Sequence, residues 1–230
     1  MTQTSSPDRA DTRAAQQSLA LVEHVVRRIA QTAVDNEARF SELDSVVGDG
    51  DFGFSLARGF EKVLAEFDGL ERSSPGVFLK KVALIITSRC GGTSGPIWGT
   101  AFLRAGASLA DRRELTASDV VPVLRAAFNG IAQRGGAALG DKTLLDALGP
   151  FIDRFEAELG AGSGADALLA LERAVESAES AAEATASLVA KRGRAAYTGE
   201  RSRGSVDPGA VAVAVVTRDL AQSLRARLAP

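Results

Sequence analysis

The stretch that decides the fold class reads Ala210-Val211-Ala212-Val213-Ala214-Val215-Val216 and continues as Thr217-Arg218-Asp219-Leu220. Its valines would suit a buried β-strand, and strand signals are nearly absent elsewhere in the chain. The apolar positions nevertheless continue at helical spacing through Leu220, Leu224 and Leu228. The stretch therefore predicts a helix, and with it an all-α protein.

The remaining sequence is helical in pattern. Leu19, Val22, Val26 and Ile29 recur at intervals of three and four, and the alanine-rich residues 165–190 favour helix strongly. We predict eight helices, at about residues 14–34, 53–67, 75–89, 95–110, 116–134, 142–159, 164–191 and 209–228. With glycine turns at several junctions, they predict an antiparallel bundle.

A chain of 230 residues with 45% hydrophobic content can bury one substantial core. We expect a single domain over residues 14–230, a disordered tail over residues 1–13, and a flexible connector at residues 160–164. The net charge of −2 and the pI near 5.6 argue against nucleic acid as a partner. One cysteine, no signal peptide and no apolar run of membrane-spanning length predict a cytoplasmic protein.

The first motif covers residues 43–53, which read Leu-Asp-Ser-Val-Val-Gly-Asp-Gly-Asp-Phe-Gly. Asp49 and Asp51 are two residues apart, so in a turn their oxygens can converge on one hard cation, and Asp44 could complete the ligand set. The alternative is a surface loop in which Asp and Gly only form turns.

The second motif covers residues 90–100, which read Cys-Gly-Gly-Thr-Ser-Gly-Pro-Ile-Trp-Gly-Thr between two predicted helices. Its backbone N–H groups, the Thr93 and Ser94 hydroxyls and the next helix N-terminus would make an anion cradle suited to phosphates. No lysine follows the glycines and no strand precedes them, which excludes a Walker A loop and a dinucleotide fingerprint. Close packing of two helices at small residues is the alternative.

The third motif is Arg134-Gly135 followed by Gly140-Asp141-Lys142-Thr143-Leu144-Leu145-Asp146. It predicts a helix end, a short loop and a new helix, and plain helix capping would explain it. The fourth is the polar segment at residues 193–209, with the only Tyr and three arginines, which closes on Asp207-Pro208-Gly209. Loops of this length are commonly functional or disordered, and we predict an ordered lid or rim.

Together the four motifs resemble the nucleotide-binding L subunit of bacterial dihydroxyacetone kinase, which also forms the C-terminal nucleotide domain of single-chain dihydroxyacetone kinases. The resemblance covers roughly residues 14–228, with the motifs in the family's order. It implies an eight-helix barrel with the nucleotide at one end, where the motifs converge. One departure is Phe52, where the family usually has the His of Gly-Asp-Gly-Asp-His-Gly; it leaves the aspartates intact but removes any contact of that ring.

The resemblance also implies the site residues. One or two Mg²⁺ ions would be held by Asp44, Asp49 and Asp51. ADP or ATP would be contacted by Phe52, Gly53, Phe54, Ser55, Thr93, Ser94, Gly135, Leu144, Arg194, Asp207, Pro208 and Gly209. Arg194 is the predicted catalytic residue, because phosphoryl transfer needs cations to neutralise or clamp the phosphate oxygens.

In the resembled family a histidine of a separate K subunit holds the ketose covalently. Here the single histidine, His24, is remote in sequence from every motif. We therefore expect a dihydroxyacetone kinase subunit that is active only with a K subunit. The sequence leaves open whether free ATP or a phosphotransferase-system M-type protein supplies the phosphate. Two alternatives remain: a kinase subunit for another ketose such as erythrulose, and a noncatalytic nucleotide-binding regulator.

Overall fold

The computed structural model describes residues 7–160 and 167–228, which form α-helices and short 3-10 segments without a β-strand. The helices are α1 Pro7–Asp35, α2 Glu37–Ser45, α3 Phe52–Glu66, α4 Pro75–Arg89, α5 Ser94–Leu109, α6 Ala117–Gly135, α7 Leu145–Gly160, α8 Ala167–Ala184 and α9 Pro208–Leu228. The 3-10 segments are Phe67–Gly69, Thr185–Ser187 and Arg194–Ser202.

Eight of these helices close into a ring. α1 packs on α3, each helix from α3 to α8 packs on the next one in the chain, and α9 packs back on α1. The short helix α2 stands outside the ring and contacts α3 and α9. Sequential neighbours joined by short connections run antiparallel, so the N-termini of α3, α5, α7 and α9 share one end of the barrel. The predicted all-α, eight-helix barrel is confirmed.

The core fills the inside of the ring with aromatic and aliphatic side chains. Phe60, Phe78, Leu56 and Ile86 are all fully buried. Phe40 of α2 is also fully buried and belongs to the same hydrophobic cluster. Each such side chain contributes about 1.5–3 kcal/mol through removal of its apolar surface from water. Because this core lies along the barrel, the helix ends and their connections remain available for a site.

The valine-rich stretch at residues 211–216 is helical and belongs to α9. Its alanines and valines are nearly all buried, because α9 contacts α1, α2, α7 and α8. A helix surrounded by other helices needs apolar residues on all its faces, which is why its composition resembles that of a buried strand.

Three details differ from the sequence-based expectation. Helix α1 begins at Pro7, so residues 7–13, expected in the tail, are helical, while residues 1–6 lie outside the described residues. Helix α2 was not predicted, because Phe40 is its one buried residue and leaves no apolar periodicity. The predicted helix at 164–191 ends at Ala184: the Thr185 hydroxyl donates to the Ala182 carbonyl, and the backbone is extended at Leu188.

The connector predicted at residues 160–164 falls, after Gly160, outside the described residues. Among the helices that the structure describes, none is both long and apolar enough to cross a membrane.

Candidate phosphate and metal site

Three carboxylates gather where α2 leads into α3. Asp44, Asp49 and Asp51 each offer an oxygen within 4.8 Å of the others, which we call the acidic cluster. Burial, and then the charge of Asp44, raise the pKa of Asp51 above its ordinary value. Carboxylates this close repel one another, so a cation between them is favoured. The donor set suits Mg²⁺, which binds through carboxylate oxygens.

Backbone contacts hold the cluster in shape. The N–H groups of Val47 and Gly48 donate to the Asp44 carbonyl, and the Phe52 N–H lies 3.4 Å from Asp44 Oδ2. Gly53 lies so close to α2 that a Cβ there would come within 2.0 Å of the Glu37 carbonyl oxygen. Only glycine permits this approach, which brings α2 against the first turn of α3.

Arg194 brings the fourth motif to the acidic cluster. Its Nη1 contacts Asp49 Oδ2 and lies 3.0 Å from Asp51 Oδ2. All three side chains are about half exposed, so the pairing is open to solvent and to ligands. An arginine on carboxylates that could also bind a metal can move to phosphate oxygens, for which its planar fork is equally suited.

The second motif begins α5 without a side-chain cap. Thr93 precedes the helix, and its side chain makes no capping hydrogen bond. Gly92 has φ +58°, and a Cβ there would meet open space. The turn therefore demands a left-handed residue for its backbone, and the exposed N–H groups of a helix N-terminus favour an anion. The anion cradle predicted from the sequence would lie at this helix N-terminus.

Ser55 joins the first two motifs. Its N–H donates to the Asp51 carbonyl at 2.8 Å, and its hydroxyl lies against Gly91 of the glycine bend. The Cys90 thiol donates to the Ser55 carbonyl at 3.1 Å. Burial raises the pKa of Cys90 to about 12, so this thiol is a packing group and not a nucleophile.

The third motif meets both of its neighbours around the barrel end. Gly135, at the end of α6, lies against Ile97 in the first turn of α5. Leu144, just before α7, lies against Gly209 in the first turn of α9. The four motifs therefore follow one another around a single end of the barrel, as the resemblance implied.

Asp207 ends the fourth motif by capping α9. Its Oδ2 accepts from the Ala210 N–H at 2.7 Å, and its own N–H donates to the Thr185 hydroxyl. Burial raises the pKa of Asp207 to about 7, the charge of Asp146 adds to the rise, and the Ala210 hydrogen bond and Lys142 oppose it. The predicted contact residues Asp207, Pro208 and Gly209 are thus the start of a buried helix.

The two phenylalanines of the first motif have different surroundings. The ring of Phe52, where the resembled family usually has His, lies 6.1 Å from that of Phe40. Phe54 is 52% exposed, with the Arg58 guanidinium 5.1 Å from its ring centre. Phe52 therefore ties α3 to α2, whereas Phe54 faces solvent at the rim.

Sequence reasoning missed several residues that hold this end together. Asp146 accepts from the Gly140 and Thr143 N–H groups, and Lys142 is buried among backbone carbonyls. Ser41 of the unpredicted α2 accepts from the Phe54 N–H. The one signal of these contacts in the sequence was a lysine close to two aspartates, Asp141 and Asp146. The left-handed backbone conformation of Lys142 has no signature in the sequence.

A closed helical barrel with an acidic cluster and an uncapped helix N-terminus at one end defines a class of all-α barrels whose polar motifs gather at one end. The profile of the DAK2 domain matches residues 46–222. The chain belongs to the DAK2 domain family.

Two relatives show how the family is used. The chain is 37% identical, over 78% of its length and 84% of the relative's, to the PEP-dependent dihydroxyacetone kinase, ADP-binding subunit DhaL of Escherichia coli K12. It is 34% identical to the L-erythrulose 1-kinase of Mycolicibacterium smegmatis, over 87% of this chain but only 35% of that one. The family thus occurs as a separate subunit and as part of longer kinases.

A solved structure has the same fold. The dihydroxyacetone kinase of C. freundii in complex with AMP-PNP and Mg²⁺ is 27% identical, with a TM-score of 0.68 over 89% of this chain. The chain spans about a third of the length of that kinase, with 34% covered.

Proposed function

We propose that this chain is the ADP- or ATP-binding and Mg²⁺-binding subunit of a dihydroxyacetone kinase. It would transfer a phosphoryl group to dihydroxyacetone that is held on a separate K subunit. The proposal rests on family membership together with the arrangement of the four motifs around one barrel end, and the chain would act in the cytoplasm.

The observation that carries the proposal is the position of Ser55. Its backbone N–H donates to the backbone carbonyl of Asp51 in the first turn of α3, and its side chain lies against Gly91. It would therefore bring the proposed cation site beside the proposed anion site, which is the combination that a nucleotide–metal complex requires. The acidic cluster alone or the glycine bend alone would not favour a nucleotide.

The residues divide the work of phosphoryl transfer as follows. Asp44, Asp49 and Asp51 would hold Mg²⁺, which when bound neutralises charge that develops on phosphate oxygens. The N-terminus of α5, with Thr93 and Ser94, would donate to phosphate oxygens. Arg194 would leave the carboxylates and pair with the phosphates, so that it replaces water around the transferred group.

The remaining predicted contacts would shape the nucleotide pocket. Phe52, Gly53, Phe54 and Ser55 form the first turn of α3, and Gly135 ends α6. Leu144 and the residues Asp207, Pro208 and Gly209 lie together at the starts of α7 and α9. These positions surround the same barrel end and would contact the nucleotide away from its phosphates.

A partner would be needed because none of the four motifs carries a histidine that could anchor the ketose. His24 lies in the middle of α1 and hydrogen-bonds to Ser223 at 2.9 Å, away from the motifs. A K subunit would present the ketose to the rim. Either ATP would exchange at the site, or a phosphotransferase-system M-type protein would rephosphorylate bound ADP; the PEP-dependent E. coli relative favours the second.

A second substrate is supported by a specific observation. One relative is an L-erythrulose 1-kinase, and Phe52 replaces the usual histidine beside the acidic cluster. A subunit of an erythrulose kinase is therefore the alternative. A noncatalytic nucleotide-binding regulator is a further alternative, favoured only if no ketose is phosphorylated.

One experiment tests the proposal and separates the alternatives. The purified chain is titrated calorimetrically with ADP and Mg²⁺, and is then assayed with dihydroxyacetone and with erythrulose, with and without a K subunit. We expect binding without a partner and transfer only with one, at on the order of 1 per second or faster. Binding without transfer to either ketose would favour a regulator, and transfer by the isolated chain would refute the division of labour.

A further inference from the structure

Lys142 is a buried lysine to which the proposed mechanism assigns no role. It is 3% exposed and lies in the loop between α6 and α7. Its ammonium group donates to the carbonyl oxygens of Leu188 at 3.1 Å, Ser202 at 2.5 Å and Ser205 at 2.6 Å. An ammonium has three protons, so this geometry matches every donor with an acceptor.

The three acceptors bracket the segment that carries Arg194. Leu188 precedes the 3-10 segment Arg194–Ser202, Ser202 ends it, and Ser205 follows it. Lys142 therefore draws both ends of this segment to one point. A polar segment of this length has little apolar surface to stabilise its conformation, so it depends on attachments such as these three hydrogen bonds.

The neighbouring Asp141 adds to the same attachment. Its carbonyl accepts from the Lys191 N–H at 3.0 Å, and its carboxylate pairs with the side chains of Lys191 and Arg192, each at 3.3 Å. The Ser202 hydroxyl in turn accepts from the Ala190 N–H. Through Asp141, the loop before α7 thus binds Lys191 and Arg192, which lie just before Arg194 in the chain.

The backbone of Lys142 is unusual for a lysine. Its φ is +61°, which is a left-handed backbone conformation that residues other than glycine rarely adopt. Such a conformation persists only when the surroundings determine it, and it aims the ammonium group inward. A glycine here would satisfy the turn but could not donate to the three carbonyls.

We propose that Lys142 is a positioning residue that holds residues 188–205, and thereby Arg194, over the acidic cluster. Lys142 acts through Arg194 and not on the nucleotide itself. Its effect on nucleotide binding rests on the proposed function, whereas its hold on the segment does not. The chemistry of the attachment is an ammonium coordinated by backbone carbonyls, and it is independent of any ligand.

The test compares Lys142→Met with the unchanged protein by hydrogen exchange. The substitution removes three donors and keeps a long unbranched side chain. We expect amide protection over residues 188–205 to fall tenfold or more, including that of Lys191 and Gly204, while α4 and α5 keep theirs. Unchanged protection of the segment would overturn the proposal, whatever the affinity for ADP.

A matched control lies at the opposite end of the barrel. Arg72 also donates to three carbonyls, those of Phe67, Asp68 and Leu70. Arg72→Met should lower the melting temperature without affecting exchange over residues 188–205. If it exposes that segment equally, the effect of Lys142→Met is a general loss of stability and the proposal fails.

Coupling to Arg194 gives the second readout. Lys142→Met should weaken binding of ADP with Mg²⁺ fivefold or more, yet cause no further loss in an Arg194→Ala background. Additive losses would overturn a role through Arg194. If Lys142→Met does not fold, Lys142→Gln, which keeps at most two donors, is measured by the same criteria. If the unchanged chain binds no ADP, the proposed function fails and hydrogen exchange alone decides the role of Lys142.

Discussion

Arg194 Nη1 lies 3.0 Å from Asp51 Oδ2, so the fourth motif supplies a cation to the first. This pairing creates a competition, because a guanidinium and a metal ion cannot both hold the same carboxylate oxygens. The competition gives Arg194 opposite effects on two ligands, and those effects can be measured separately.

Replacing Arg194 with alanine should strengthen binding of Mg²⁺ alone and weaken binding of ADP with Mg²⁺. The first effect follows from releasing Asp49 and Asp51, and the second from losing a donor to phosphate, worth about 1.5–3 kcal/mol for a charged hydrogen bond. Calorimetric titration measures both, with Arg201→Ala as the control on the same segment. A loss of affinity for both ligands would contradict the competition.

Replacing Asp49 or Asp51 with asparagine should weaken binding of ADP with Mg²⁺ by on the order of 2 kcal/mol or more, because each removes a charged metal ligand. Folding should be spared, since both side chains are about half exposed. Asp68→Asn is the matched control, with a side chain 95% exposed in the 3-10 segment that follows α3. Unchanged affinity in both cluster variants would refute the metal assignment.

Gly92→Val should weaken nucleotide binding while the helices remain. Gly92 has φ +58°, which a β-branched residue tolerates poorly, so the turn before α5 must change shape. Gly136→Val is the matched control, because Gly136 has φ +57°, also faces open space and caps the C-terminus of α6. Circular dichroism measures helicity and calorimetry measures affinity. An equal loss of affinity in both variants would mean that the glycine bend has no special part in binding.

The raised pKa of Asp207 should make stability depend on pH. The unfolded chain loses this proton near 3.8, whereas the folded protein keeps it up to about pH 7. Between these values the folded state binds more protons, so the free energy of unfolding should fall as pH rises, by up to roughly 1.4 kcal/mol per unit. Urea denaturation at pH 4.5 to 7.5 measures the slope.

The control for this prediction is Asp207→Asn. Asparagine keeps an oxygen that can accept from the Ala210 N–H, so the cap on α9 should survive. Other titrating groups, including His24, are present in both proteins and cancel in the comparison. Equal slopes for the two proteins would show that Asp207 does not titrate as described.

Exposed apolar side chains at the rim should matter only when a partner is present. Tyr197 is 91% exposed, Val46 is 65% exposed and Phe54 is 52% exposed, and all three lie on segments around the acidic cluster. Tyr197→Ala should reduce transfer with a K subunit about tenfold, since a contact aromatic often contributes 1 kcal/mol or more.

Binding of ADP with Mg²⁺ by the Tyr197→Ala variant should be unchanged. Leu84→Ala is the matched control, because Leu84 is 64% exposed but lies in the middle of α4. If both variants lose transfer equally, or neither does, the rim around Tyr197 is not the docking surface.

The sequence by itself determined the helical class, most helix positions and the motifs. Periodicities of three and four residues are local properties, and acidic or glycine-rich clusters reveal their chemistry by composition alone. The barrel and its shared end came from the family resemblance. Helix α2 was not predicted because one buried residue, Phe40, gives no helical periodicity of apolar residues. The end of α8 before Thr185 was not predicted because a threonine whose hydroxyl bonds to a helix carbonyl has no distinctive sequence signal.

Only the tertiary structure decided which motifs touch. Arg194 reaches Asp49 and Asp51, and Lys142 reaches Ser202 and Ser205, through contacts between segments far apart in the chain. Such contacts depend on ring closure and on backbone angles such as the left-handed φ of Lys142. Neither property is encoded locally, because each arises when distant helices pack against one another and fix the loops between them.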